Sequence, residues 1–484
     1  MTPSGLPSDM RGGADGAGWS RPRHGGRRLR ADALWLSLGL VVLAACGTQA
    51  HPVTFNADIG PLVRRECSGC HREGGIAPFA LTTYDEVRTR GPGVRAMVES
   101  RRMPPWPADP TYRVFLGQHT LTSHEIALIG WWVESGMPEG EPRPLPPIAP
   151  PPRVQGLGEP DLVLEMPEPI RLPGDRQDHF FMAKLPFVIP ADTTIRAIEF
   201  VPGNRALVHH MNGALITYSG AAKADPRHGA WYSEMREGSM EGAHSLHLEN
   251  DDGTLAPITL SVANYLPGSN PVVLPDGIGG WRVTRKGVFL LNMIHYGPTA
   301  TPQEDRSRVN IYFGDHPPTR PVSQFILGTL GIAPIVPPLV VPPDTVMTFR
   351  SQLEMPTAIS IVNINPHMHL LGRSLLAFAL TPAGDTIPLI RILHWDFRWQ
   401  YFYTPPKIIT VPARSVIHLE VVLDNTTANP NNPFSPPREV KEQGGSMRTT
   451  DEMIQLIISG FPYRPGDESI SLEATPQSTA PGGH

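Results

Sequence analysis

Cys67-Ser68-Gly69-Cys70-His71 sets two thiols either side of a short turn, with an imidazole directly after the second. Two thiols at that spacing can add covalently to the vinyl groups of haem while the next residue supplies an axial nitrogen, which is the c-type attachment pattern. A redox dithiol or a zinc pair are the alternatives, but neither requires His at that position, and zinc needs two further ligands. The second axial ligand must come from downstream. Met103, in Arg102-Met103-Pro104-Pro105-Trp106, is the best placed, because prolines hold an extended loop that can lay a thioether over a haem face. Met97 competes, although it falls in a helical pattern where methionine is ordinary packing. Ligation by His and Met suits electron transfer rather than oxygen chemistry at the iron.

Four later features carry possible metal ligands, and each is weak alone. Val208-His209-His210-Met211 ends a predicted strand, where adjacent side chains point to opposite faces, so the two imidazoles can share a metal only if the backbone bulges. His295, in Met293-Ile294-His295-Tyr296-Gly297, ends an apolar strand and gains meaning only with that pair. His367-Met368-His369 puts two imidazoles on one face of a strand, the spacing of a two-point metal grip. Met453, in Thr449-Thr450-Asp451-Glu452-Met453, reads as core packing on its own, but beside two imidazoles a thioether favours cuprous copper.

The elements that must position these groups follow from composition and pattern. A chain of 484 residues suits two or three domains with separate cores. Gly and Pro make up 102 residues, the sum of 46 and 56, which suits short strands joined by many turns. Apolar or alternating runs at Ile195 to Val201, Gly287 to Ile294, Ala358 to Ile364 and Val416 to Leu423 read as strands of β-sandwiches. Thr122-Ser123-His124-Glu125 is a capping box opening a helix whose apolar face carries Ile126, Ile129, Trp132 and Val133. From Pro138 to Pro152 eight of fifteen residues are proline, a stiff spacer between modules. The net charge of −5, with no basic cluster beyond the first thirty residues, gives no footprint for nucleic acid.

Arg21, Arg23, Arg27, Arg28 and Arg30 precede an apolar run from Ala33 to Ala45, too short for a permanent membrane span and arranged as an export leader. It closes on Leu43-Ala44-Ala45-Cys46-Gly47, which resembles a bacterial lipobox with Cys46 as the lipid-modified first mature residue. A plain signal peptide is the alternative, and both mean export. Only Cys67 and Cys70 remain after Cys46, so no disulfide framework is available.

Residues 52–141 resemble the small all-α cytochrome c domains of exported bacterial redox proteins. The order HHM, IHYG, HMHLLG and TTDEM resembles the copper type II monooxygenases, the family of peptidylglycine α-hydroxylating and dopamine β-monooxygenases, over residues 157 to 471. Asp178-His179-Phe180-Phe181 and Leu274-Pro275-Asp276-Gly277 are also similar to that family's first domain. The resemblance implies a leader at 1–45, a haem domain at 52–141, a linker at 142–156, two jelly-roll-like sandwiches at 157–318 and 319–471, and a frayed tail at 472–484. It implies a first copper on His209, His210 and His295, and a second on His367, His369 and Met453, where oxygen binds and an aliphatic C–H bond is hydroxylated across an open cleft. Three neutral ligands leave copper an open position, as oxygen activation needs.

The implied cofactors are one covalent haem c and two coppers. The implied partners are O2, a small-molecule or peptide substrate, a membrane reached through the lipid anchor, and an external donor such as a reduced cytochrome, a quinol pathway or an ascorbate-like reductant. The attached haem is expected to feed the first copper, its effective concentration raised by the short spacer. Departures from the family fall at substrate positions: Asn365 stands where the peptide-amidating members carry a carboxylate-binding arginine, and Ile457 replaces a tyrosine. Bidentate carboxylate recognition is thereby lost. Two other readings stand beside the enzyme: an electron-transfer or copper-holding lipoprotein without catalysis, and a binding module with degenerate sites. The complete but asymmetric ligand set argues against both.

Overall fold

The computed structural model describes residues 52–148, 157–235, 241–269, 271–275, 277–316, 318–444, 446 and 448–473. The leader, Cys46, Asp276, most of the spacer and nearly all of the tail lie outside the described residues. Residues 52–484 cluster as one compact unit, mostly β.

Three helical stretches lead the chain. The turn Phe55–Ile59 runs into Gly60–Glu66, and capping boxes at Thr83/Glu86 and Thr122/Glu125 open Tyr84–Glu99 and Ser123–Glu134. In each box a threonine hydroxyl accepts from the glutamate amide while the carboxylate reaches back, satisfying first-turn donors that have no helical partner. Ile129 and Trp132 bury fully against Phe55, Ile59, Leu62 and Val87, with Ile126 and Val133 at the rim of this core. The chain leaving the last helix folds back: Trp132 Nε1 and the Phe55 amide both donate to the Pro138 carbonyl. Leu145 packs over Gly60, where any side chain would collide with it. The spacer therefore lies on the helical core as far as Leu145 instead of extending from Pro138, because Leu145 supplies an apolar anchor among the prolines.

The strands form two pairs of antiparallel sheets. One five-stranded sheet runs in the order Tyr232–Glu234, His179–Val188, Lys286–Tyr296, Val208–Tyr218, Ile258–Tyr265, with a four-stranded sheet of Leu162–Glu165, Arg308–Phe313, Thr193–Val201 and Trp281–Val283. The second pair orders Ser323–Gly328, Ile454–Pro462, Ile359–Met368, Ile409–Val411 and Val346–Glu354, Val416–Asp424, Gly372–Leu380, Thr386–Ile392. Period-two alternation is plain in Val416–Asp424, where Ile417, Leu419, Val421 and Leu423 point into the core and the residues between them do not. All four strand runs read from the sequence are strands here. The Asn425 loop was expected at the surface without a role, yet Asn425 is fully buried and its amide donates to the carbonyls of Val341, Pro342 and Arg438. Asn can replace a missing backbone partner in that way, which polarity alone does not reveal.

The two sheet pairs share a core: Val362, Ile408 and Phe461 of the second pack with the first sandwich's residues. Beside it Arg320 makes a two-pronged contact with Asp467, at 2.6 and 3.0 Å, and Ser360 Oγ donates to the same carboxylate. Burial pushes the Asp467 carboxyl up, but the Arg320 guanidinium, the Ser360 hydroxyl and the Arg464 amide bring it down to about 2. A carboxyl whose folded value is depressed from 3.8 adds stability above that pH, about 2 kcal/mol, and loses it as pH falls toward 2. Asp467→Ala, which leaves Arg320 buried without its carboxylate, is expected to cost about 3 kcal/mol by denaturant unfolding at neutral pH. A loss under about 1 kcal/mol would show that the pair does not hold the sandwiches together.

Residues 104–118 dock along the outer strand Thr386–Ile392. The Asp109 amide donates to the Arg391 carbonyl at 2.8 Å, Arg391 Nε returns a bond to Asp109, Arg113 Nε reaches Pro388, and the Leu116 amide reaches Thr404. Trp106 and Phe115 insert their rings within 5.1 to 5.4 Å of Tyr401 and Tyr403. The helical segment is thus seated on the second sandwich directly, not only tethered to the sheets in sequence.

Candidate metal centres

The first cluster is made by a strand irregularity. Val208 pairs with Tyr296 and His210 with His295, so His209 is the extra residue of a bulge, the condition under which adjacent histidines can face one point. The rings of His209 and His210 lie 4.9 and 4.8 Å from that of His295. His210 Nδ1 and His295 Nδ1 face each other at 3.2 Å. Two nitrogens each about 2 Å from one tetrahedral metal stand about 3.3 Å apart, so the spacing fits a shared ion. Phe180 stacks on His295, and Asp178 Oδ1 meets His295 Nε2 at 2.7 Å, holding the ring from its far side. Asp178, His209 and His295 also present ligand atoms within 4.8 Å of one another. Burial, then the His295, His209 and His367 imidazoles, hold His210 well below its usual pKa, so it is neutral, the form that binds metal.

His209 needs a glycine beneath it. A methyl group on Gly297 would lie 2.4 Å from His209 Nε2. Gly297→Ala is expected to tilt that ring and weaken metal binding at the first cluster about 10-fold or more, while the second is unaffected. Copper titration of the two clusters checks this; equal affinity in the variant would remove His209 from the ligand set.

In the second cluster His367 closes the strand Ile359–Met368 and His369 follows it, their rings 5.0 Å apart and nearly perpendicular. His367 Nδ1 donates to Gln400 Oε1 at 2.5 Å, and His369 Nδ1 donates to the Asp451 carbonyl at 3.1 Å. Each bond puts the proton on Nδ1 and leaves a lone pair on Nε2, the arrangement usual behind metal-bound histidine. His367 Nε2 is buried without any hydrogen-bond partner, an atom whose burial is costly unless something binds it. Met453 is 2% exposed. Burial, then the neighbouring His367, lowers His369 to about 3; burial also lowers His367, and the Gln400 bond opposes this only in part. Both are neutral ligands at pH 7.

Glu452 builds the backbone of this cluster. Fully buried, it accepts from the amides of His369, Leu371 and Met453 at 2.5, 3.1 and 2.9 Å. Burial pushes its carboxyl up to about 7 against the pull of those amides. Trp395 Nε1 donates to the His369 carbonyl, and its ring covers Gly372.

One cavity of about 1030 Å³ takes its wall from both clusters: His210 from the first, His367, His369 and Met453 from the second. Asn365 and Ile457 line it too, so an amide and an alkyl group stand where the peptide-amidating proteins were said to differ. Asn365 Nδ2 is spent on the Tyr401 carbonyl.

Cys67 and Cys70 are both free thiols at the end of Gly60–Glu66. His71 Nδ1 donates to the Phe79 carbonyl at 3.2 Å, which again leaves Nε2 as the free donor atom and fits an axial ligand. Met103 and Met97 lie together, the Met103 amide bonded to the Met97 carbonyl. Pro104 and Pro105, directly after Met103, share a smaller cavity of about 160 Å³ with Cys70, Tyr265, Gly268 and Tyr401.

Sequence reasoning named the imidazoles and Met453 but gave no role to Asp178, Gln400, Glu452 or Trp395. Asp178 and Glu452 stood inside quoted motifs and Trp395 in a noted aromatic group; nothing marked Gln400, which acts through a loop conformation.

No family model matches the chain, and no curated protein matches it. Solved structures similar to it include infectious bursal disease virus of the Gt strain, 12% identical over 65% of this chain and 85% of that one, with a TM-score of 0.14. The Gx strain of that virus is 13% identical over 62% and 76%, with a TM-score of 0.10. Superposition that poor carries no argument about fold or function.

Proposed function

We propose that the chain is an exported copper monooxygenase with an attached c-type haem, hydroxylating an aliphatic C–H bond with O2. What carries the reading is the single cavity onto which His210 opens from one cluster and His367, His369 and Met453 from another. The two clusters differ in chemistry. His209, His210 and His295 form an all-nitrogen set backed by the Asp178 carboxylate, whereas His367 and His369 share theirs with a soft thioether that favours the cuprous state. Copper bound there would supply dioxygen activation and one-electron chemistry.

The protein's own groups do the rest. Gln400 and the Asp451 carbonyl fix the proton positions of His367 and His369, so each Nε2 lone pair faces the cavity without rearrangement. Asn365 and Ile457 give the substrate wall an amide and an alkyl surface, which suits a largely uncharged substrate rather than a peptide carboxylate. Cys67, Cys70 and His71 would hold the haem, with Met103 the preferred second axial ligand, in a small all-α cytochrome domain; the sandwiches would be jelly-roll-like. Cys46 would carry the lipid anchor outside the cytoplasm, and an external one-electron donor or quinol pathway would recharge the haem.

The test is metal content and oxygen use of protein matured with haem-attachment machinery. Two coppers per covalent haem, with reductant-dependent oxygen uptake, are expected. A copper ratio near zero would leave a haem protein on a β scaffold, and copper without oxygen uptake would favour the electron-transfer or copper-holding reading.

A further inference from the structure

Between the Cys70 cavity and the His367 cluster runs a short bonded track. Tyr401 walls the cavity beside Cys70. It is 4% exposed, and its hydroxyl donates to the Pro105 carbonyl two residues after Met103. The next residue back along the chain is Gln400, whose Oε1 takes the Nδ1 proton of His367. Both ends of this dipeptide are pinned: Asn264 Nδ2 donates to the Gln400 carbonyl at 2.9 Å, and Asn365 Nδ2 to that of Tyr401 at 3.2 Å. Asn264 lines the small cavity and the large one.

We propose that an electron from haem at Cys67/Cys70/His71 enters the His367/His369/Met453 site directly through Tyr401 and Gln400, without first visiting the His209/His210/His295 site. The inference rests on the haem and copper reading above. It differs from the sequence-based expectation, in which the haem feeds the first copper. Electron tunnelling falls off less steeply through covalent and hydrogen bonds than across gaps. The Tyr401 to Gln400 step is covalent, and the Gln400 to His367 step is one hydrogen bond onto the ring that binds metal. A competing track leaves Tyr265, crosses a strand pairing to Met211 and follows the main chain to His210. That track reaches its imidazole only through backbone and ends on no side-chain hydrogen bond from the cavity side. In the step itself one ferrous haem iron becomes ferric and one cupric ion becomes cuprous. No proton need move, because His367 keeps the proton on Nδ1.

The experiment uses the full haem- and copper-loaded protein, ferric and cupric, without oxygen or substrate. A flash-generated flavin semiquinone reduces the haem, and the decay of the ferrous haem absorbance reports transfer onward. Copper content and the ferric haem spectrum are recorded for every variant. Transfer is expected to persist within about twofold in His209→Ala/His210→Ala and to vanish in His367→Ala. Gln400→Leu should slow it at least about tenfold with second-site copper retained, and Gln400→Glu, which keeps an acceptor oxygen for Nδ1, should restore it. Loss of transfer in the double variant with retention in His367→Ala would overturn the direct route, as would an unchanged rate in Gln400→Leu. If Gln400→Leu fails to hold copper, the comparison of the double variant with His367→Ala still decides the route. Absence of covalent haem or of bound copper in the unaltered protein would instead sink the functional reading on which the route rests.

Discussion

His367→Ala is expected to empty the second copper site and reduce oxygen-dependent turnover at least about 100-fold, with the haem spectrum and the first copper intact. Loss of an outer partner behind a metal-bound histidine typically weakens binding 10- to 100-fold, so removing the ligand itself should do no less. His367 is also the ligand whose Nε2 is buried and unpartnered, so the wild-type protein has most to gain by filling that position. Met453→Ala should behave differently: a thioether stabilises cuprous more than cupric copper, so the variant should hold cupric ion well and release it on reduction. Copper retained after dialysis with and without reductant separates the two. Equal retention in both variants and the parent would mean that neither residue binds the metal.

What the sequence made legible is what local geometry fixes. His367 and His369 lie on one face because strand side chains alternate, and that follows from spacing alone. The HHM pair required a bulge, and whether one exists depends on how Lys286–Tyr296 aligns opposite it, which is a property of the partner strand. Gln400 lies in the irregular stretch between Ile392 and Ile409, where no period exists to be read. Its role depends on the Asn264 and Asn365 amides that pin the loop from two different sheets. The Met103 to Leu116 stretch illustrates the same limit. Its prolines correctly indicate extended chain, yet that chain serves as a strap across Thr386–Ile392, through Asp109 and Arg391 far apart in sequence.

The same dependence on distant partners makes Glu452 the costliest single residue to change in the second site. Its carboxylate gathers three amides, two from the His369 turn and one from Met453, and so joins two segments that local sequence does not connect. In Glu452→Leu these donors become buried and unsatisfied at about 1–3 kcal/mol each, partly offset because the carboxylate no longer has to be desolvated. A net loss of about 4 kcal/mol is expected from denaturant unfolding, against about 1 kcal/mol for Glu452→Gln, which keeps one acceptor oxygen. A leucine variant as stable as the parent would mean that the loop finds other acceptors and that Glu452 is replaceable. The prediction reaches beyond stability, because the amides it holds belong to the residues that present the imidazole and the thioether. If a ligand or an added stabilising substitution restores the fold of Glu452→Leu, copper at the second site should remain weak, since His369 and Met453 would have lost the one group that sets the distance between their main chains.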